Sequence, residues 1–149
     1  RSDRDRQALR AALAAGVIAV IASDHAPHTV AERSLPYAEA PAGVIGLETT
    51  VGVVWTELVH AGALSVARAV RAMTQAPAAV LGLEAPALRI GARADVTLLD
   101  PELAWTVDPS AFRSKARNCP FAGRPLRGKV LATVVGGRIV MQEGALLSS

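Results

Sequence analysis

The chain has 149 residues, 51% of them hydrophobic but only 3% aromatic, so its core must be built from Ala, Val, Leu and Ile, with few platforms for stacking bases. The net charge is +3, and no apolar run approaches the roughly 18 residues of a membrane span. The single cysteine, Cys119, excludes an internal disulfide and the charged opening Arg1–Arg6 is unlike a signal peptide, so a reducing cytoplasm is the expected location.

A first helix is expected to begin at Ser2 or Asp3, with Asp5 completing a capping-box variant three residues after Ser2. Leu9 and Leu13 give it an apolar stripe, and Gly16 stops it. The run Val17-Ile18-Ala19-Val20-Ile21-Ala22 predicts a buried parallel strand. That strand delivers Ser23-Asp24-His25-Ala26-Pro27-His28 to its C-terminal end, where catalytic groups gather in parallel α/β proteins. Ala26 to Gly43 has no helical or strand period, and Pro27, Pro36 and Pro41 punctuate it, which reads as a lid or binding loop. A helix follows from near Gly46 to about Ala61, then another capped by Ser65 and carrying Val66, Ala69, Val70 and Met73. Trp55 and Met73 sit at helical spacing among apolar residues and are expected in the core. A short helix restarts at Thr74–Pro77 and ends at Leu81-Gly82.

Beyond residue 84 the texture changes. Leu88–Gly91, Asp95–Asp100, Lys129–Val135 and Arg138–Met141 read as strands, the last two joined by a Gly136-Gly137 hairpin turn. The chain therefore divides into a helical and parallel-strand portion, residues 1–84, and a β-rich portion, residues 85–149. One strand with its helices cannot form an α/β barrel, which takes about 250 residues; the expectation is the C-terminal part of a longer protein. Arg113, Lys115, Arg117, Arg124, Arg127 and Lys129 form an acid-free stretch. With only Phe112 and Phe121 interleaved, it reads as a solvated basic face rather than a nucleic-acid surface.

From spacing alone, Asp24, His25 and His28 are either a complete metal site or one corner of a site completed elsewhere. The second fits better, because neighbouring side chains at a strand end diverge and catalytic zinc uses three protein ligands plus an open position. The phrase Ile21-Ala22-Ser23-Asp24-His25-Ala26-Pro27-His28-Thr29, followed by Pro41-Ala42-Gly43-Val44-Ile45-Gly46-Leu47-Glu48-Thr49, resembles the C-terminal region of bacterial-type dihydroorotases in the amidohydrolase superfamily. The likeness extends through Arg1-Ser2, Asp5–Leu9, Leu88–Asp100, Phe112–Lys115, Asn118–Phe121 and Val134–Arg138. It implies the last strand and helices of a (β/α)8 metal-dependent hydrolase barrel, followed by strands of a small β-sandwich domain.

By that resemblance Asp24 touches a catalytic zinc, one of one or two ions, and serves as general base and then general acid in opening a cyclic amide. His28 binds the substrate carboxylate, and Ala42 with Gly43 contacts substrate through backbone groups. The family commonly has Phe-Gly at that pair, so Ala42 departs from its pattern. His25 is matched to no ligand; packing or orienting Asp24 is its expected role. His60 is read as a surface or half-buried residue, and Cys119 has no neighbour that suggests a nucleophile. The family's His-x-His pair, its further metal ligands and its carboxylate-gripping arginine have no match in these residues, so activity is expected only together with an N-terminal barrel portion. The reaction so implied interconverts dihydroorotate and carbamoyl-aspartate in pyrimidine synthesis. A hydantoinase- or allantoinase-like amidase, and a catalytically silent homologue assembling with a transcarbamoylase, are the alternatives. A homo-oligomer is a further possible assembly.

Overall fold

The computed structural model describes residues 2–147; Arg1, part of one resembling phrase, lies outside them. Helix α1 (Asp3–Ala15) begins where the sequence places it. Ser2 accepts from the Asp5 N–H and the Asp5 carboxylate accepts from the Ser2 N–H, and Gly16 closes the helix in the left-handed region.

The expected strand at Val17–Ala22 is not one. It makes isolated backbone bonds, Ile18 N–H to Ala12 O and Ile21 N–H to Ala72 O, and has no ladder partner among the described residues. An apolar run becomes a strand only when a neighbour answers its backbone groups, and these residues provide none. Instead of being buried, the run alternates between exposed and half-buried positions. Among the described residues the only parallel pairing is a single bridge, His25 to Val44.

Between those two residues lies a closed loop that contains an unanticipated helix, α2 (Val30–Arg33), capped reciprocally by Thr29 and Glu32. Helix α3 (Thr50–Val54) then runs without a break into a π-helical turn, Trp55–Val59, closed by the His60 N–H on Trp55 O at 2.8 Å. Helices α4 (Val66–Met73, capped by Ser65) and α5 (Gln75–Val80) follow as expected. Val54, Trp55, Leu64 and Ala69 form the buried cluster, with Leu13, Ile21, Met73 and Leu99 packed around it.

The second portion is one antiparallel meander of β1 (Val96–Thr106), β2 (Pro125–Val135), β3 (Arg138–Gln142) and β4 (Ala145–Leu146). Val135 pairs with Arg138 across Gly136-Gly137, the hairpin the sequence predicts. The strand expected at Leu88–Gly91 is absent: Leu88 is 90% and Ile90 106% exposed, and neither has a partner strand among the described residues. The sheet is fastened to α3 and its π turn at close range. Gly128 has φ +84° and lies so near Trp55 that an added Cβ would be 2.6 Å from the Trp55 Cβ. Thr56 Oγ1 accepts from the Arg127 N–H at 2.8 Å, and Glu57 takes Arg10 from one side (3.0 Å) and Arg124 from the other (2.5 Å).

Candidate active site

The sequence Ser23–His28 leaves the unpaired segment and turns at once, because Asp24 adopts φ +47°, a left-handed bend tolerated by aspartate better than by most side chains. Its carboxylate is exposed and accepts no hydrogen bond among the described residues. His25 points its ring at the start of the next element, where Nδ1 accepts from the Gly46 and Leu47 N–H groups at 3.2 and 3.4 Å. With Nδ1 so engaged, the ring proton sits on Nε2, and His25 fixes backbone rather than offering both nitrogens to a ligand. Thr49 and Thr50 hydroxyls donate back to Gly46 O and hold the same turn.

The loop Ala26–Gly43 folds onto itself. The Ala26 N–H donates to Val44 O at 2.9 Å, closing its base. His28 Nε2 lies 3.0 Å from Ala42 O, and Arg33 donates to Pro41 O at 2.9 Å. Gly43 takes φ +119°, where an L side chain is strained, and an added Cβ would be 2.5 Å from the Ala26 Cβ and 3.5 Å from His28 Nε2. The structure thus brings His28, Ala42 and Gly43 together. Asp24 stands at the mouth of the loop, one residue before the bridging His25, with no hydrogen bond to the other three. If His28 Nε2–H donates to Ala42 O, a neutral ring offers only an acceptor at Nδ1. A donor to an anion would then require either a proton on both ring nitrogens or an Nε2–H turned away from Ala42.

Two pins from the second portion reach the site. Asn118 accepts from the His28 N–H at 3.4 Å through Oδ1 and donates through Nδ2 to Ala26 O (3.0 Å) and Gly43 O (3.3 Å), while its own carbonyl accepts from the Ile45 N–H. Glu48 accepts the N–H groups of Arg113 and Ser114 at 2.9 and 3.0 Å. Sequence reasoning missed Asn118, since no local pattern announces a contact 90 residues away. It also missed α2, although Thr29-x-x-Glu32 is a capping-box signature. There the Thr29 N–H and hydroxyl both donate to the Glu32 carboxyl and hold it below the usual glutamate range.

A cleft of about 350 Å³ adjoins His28, lined also by Arg33, Arg117, Asn118 and Cys119; Asp24, Ala42 and Gly43 do not line it. The basic stretch is largely engaged within the chain. Arg124 meets Glu57, Arg127 lies 3.6 Å from Glu102, Lys129 lies over the Trp105 ring, and Arg117 donates to the Ser114 and Ala116 carbonyls. Among the described residues no three His, Cys, Asp or Glu side chains cluster to hold a metal. The free Asp24 carboxylate fits a single ligand of an ion whose other ligands lie elsewhere.

Residues 1–140 match the model of the amidohydrolase family. The chain belongs to that family. Among curated relatives, a protein from Pelotomaculum thermopropionicum named dihydroorotase is 55% identical over 96% of this chain, and one of the same name from Anaeromyxobacter dehalogenans is 48% identical. The chain spans about a third of the length of these relatives, 34% and 33% respectively. Among solved structures, the L-hydantoinase (dihydropyrimidinase) from Arthrobacter aurescens aligns with a TM-score of 0.92 at 33% identity, over 99% of this chain and 34% of that one. The dihydropyrimidinase from Brevibacillus agri aligns with a TM-score of 0.91 at 22% identity, a likeness of fold alone. The mixed architecture is that of part of an amidohydrolase barrel followed by a sheet.

Proposed function

We propose that this chain supplies the acid/base group and one wall of the substrate pocket of a dihydroorotase, which interconverts dihydroorotate and N-carbamoyl-aspartate in pyrimidine synthesis. In this reading it works in the cytoplasm, with an upstream barrel portion, and residues 1–84 complete that barrel while residues 85–149 form the appended sheet domain. The observation that carries the reading is the pairing of a free carboxylate, Asp24, with a closed loop that sets His28 beside Ala42 and Gly43. The 55% identity to a relative named dihydroorotase supports this substrate class.

In the hydrolytic direction a water oxygen bonds to the ring carbonyl carbon and the carbon–nitrogen bond breaks. Asp24 takes the proton from the water and returns it to the departing nitrogen, so its carboxylate is regenerated. His28 anchors the substrate carboxylate, and the backbone at Ala42-Gly43 orients the ring; Ala42 adds little side chain, so backbone groups carry that contact. Zinc, held in part by Asp24, would polarise the carbonyl and ease deprotonation of water.

The test joins this chain to the upstream two thirds of the Pelotomaculum relative and follows cyclisation of carbamoyl-aspartate. Asp24→Asn is expected to lower kcat by about 10²–10⁴-fold, the usual contribution of a positioned acid/base. No turnover by the parent, or no loss in Asp24→Asn, refutes the reading. A hydantoinase-like activity is the second reading, favoured by the name of the Arthrobacter structure. Competitive inhibition by orotate without turnover of hydantoin excludes it.

A further inference from the structure

We infer that Asn118 is a positioning residue that ties the sheet portion to the substrate loop and holds His28 and Gly43 in register for carboxylate binding. This inference rests on the reading above. One side-chain amide uses its acceptor on the His28 N–H and both donors on Ala26 O and Gly43 O, while its main-chain carbonyl takes the Ile45 N–H. The loop base at residues 26–28 and the returning segment at 43–45 are thereby joined through one residue that lies 90 to 92 positions from His28 and Ala26 and 75 from Gly43. The His25–Val44 bridge with its Ala26 N–H bond, the His28–Ala42 contact and the His25 ring bonds to Gly46 and Leu47 also cross that gap, but Asn118 alone does so from the sheet portion among the described residues. The His28 ring reaches Ala42 O only if its backbone and that of Gly43 keep their spacing, and that spacing is what the amide measures out.

An amide is required, not merely a polar group of that size. Asn118→Asp keeps an acceptor for the His28 N–H but sets a second carboxylate oxygen against two carbonyl oxygens, Ala26 O and Gly43 O. Asn118→Ala removes all three side-chain bonds. Asp24 lies before the loop base, outside the set of groups that Asn118 touches, so the chemical step is insulated from the change.

Two measurements test this. In the completed enzyme, Asn118→Ala and Asn118→Asp are each expected to raise KM for carbamoyl-aspartate about tenfold or more, with kcat changed less than about threefold. Combining Asn118→Ala with His28→Ala should add little to the KM of His28→Ala alone, because Asn118 acts through that residue. In the 149-residue chain, hydrogen exchange of the His28 and Ile45 amides should accelerate about tenfold in Asn118→Ala, while the Ala69 amide in α4 is unchanged. Unchanged KM, a loss confined to kcat, or full additivity with His28→Ala overturns the inference. So does loss of α4 protection in Asn118→Ala, which would make Asn118 a determinant of folding rather than of the site. An inactive parent defeats the proposed function alone, since the exchange measurement still decides the role of Asn118.

Discussion

Gly43→Ala should damage substrate binding out of proportion to the single methyl group it adds. Gly43 has φ +119°, outside the conformations that L side chains adopt readily, and holding alanine there costs about 1–3 kcal/mol. The new Cβ would sit 2.5 Å from the Ala26 Cβ, against a comfortable carbon–carbon separation of about 3.5–4.0 Å, so the loop base must open by roughly 1 Å. Overpacking of that kind typically costs about 1–3 kcal/mol. Because the loop can yield in part, the combined penalty is expected at about 2–4 kcal/mol, a depletion of the binding geometry by about 30- to 1000-fold. The assay is kcat/KM for carbamoyl-aspartate in the enzyme completed by its upstream portion. Gly62→Ala is the control: φ is also positive, at +71°, but no atom lies within 4 Å, so only about 1 kcal/mol of backbone strain remains and kcat/KM should be unchanged. A Gly43→Ala enzyme within threefold of the parent would refute the claim that this loop geometry is what binds.

Two further outcomes follow from packing and charge. Gly128→Ala drives a methyl group into the Trp55 Cβ at 2.6 Å and should lower stability by about 2–4 kcal/mol in urea titration followed by tryptophan fluorescence, with the m-value unchanged. Glu32 is held below the usual glutamate range by the Thr29 hydrogen bonds, so its stabilisation of α2 is fully present above the unfolded-state value and is lost as pH falls through the lowered folded value. The protection factors of the Glu32 and Arg33 amides should therefore fall on acidification below the ordinary glutamate range, and Glu32→Gln should abolish that dependence.

What could be read from the chain was whatever its own neighbours decide. The caps of α1 and α4 lie within three residues of the groups they satisfy, so Ser2, Asp5, Gly16 and Ser65 were legible directly. The Gly136-Gly137 hairpin was legible for the same reason. Val17–Ala22 and Leu88–Gly91 have the composition of strands but lack the partner that makes a strand, and composition cannot supply a partner. The π turn at Trp55–Val59 keeps the apolar spacing of an α-helix closely enough to be indistinguishable from one in sequence. Asn118 was hidden because its three side-chain bonds are all long-range, and α2 because the prolines around it masked its capping box.

The left-handed bend at Asp24 restricts which residue types can serve there. Asparagine and glycine also tolerate that bend, but neither is an acid; glutamate is an acid, but its longer side chain loses the local backbone compatibility that lets aspartate enter the region. In the proposed role aspartate meets both demands, so the direction of the chain and the transfer of a proton would be vested in one side chain. Replacing it with asparagine changes the charge and leaves the path of the chain intact. Replacing it with alanine alters both, and any activity lost could not be assigned to the carboxylate.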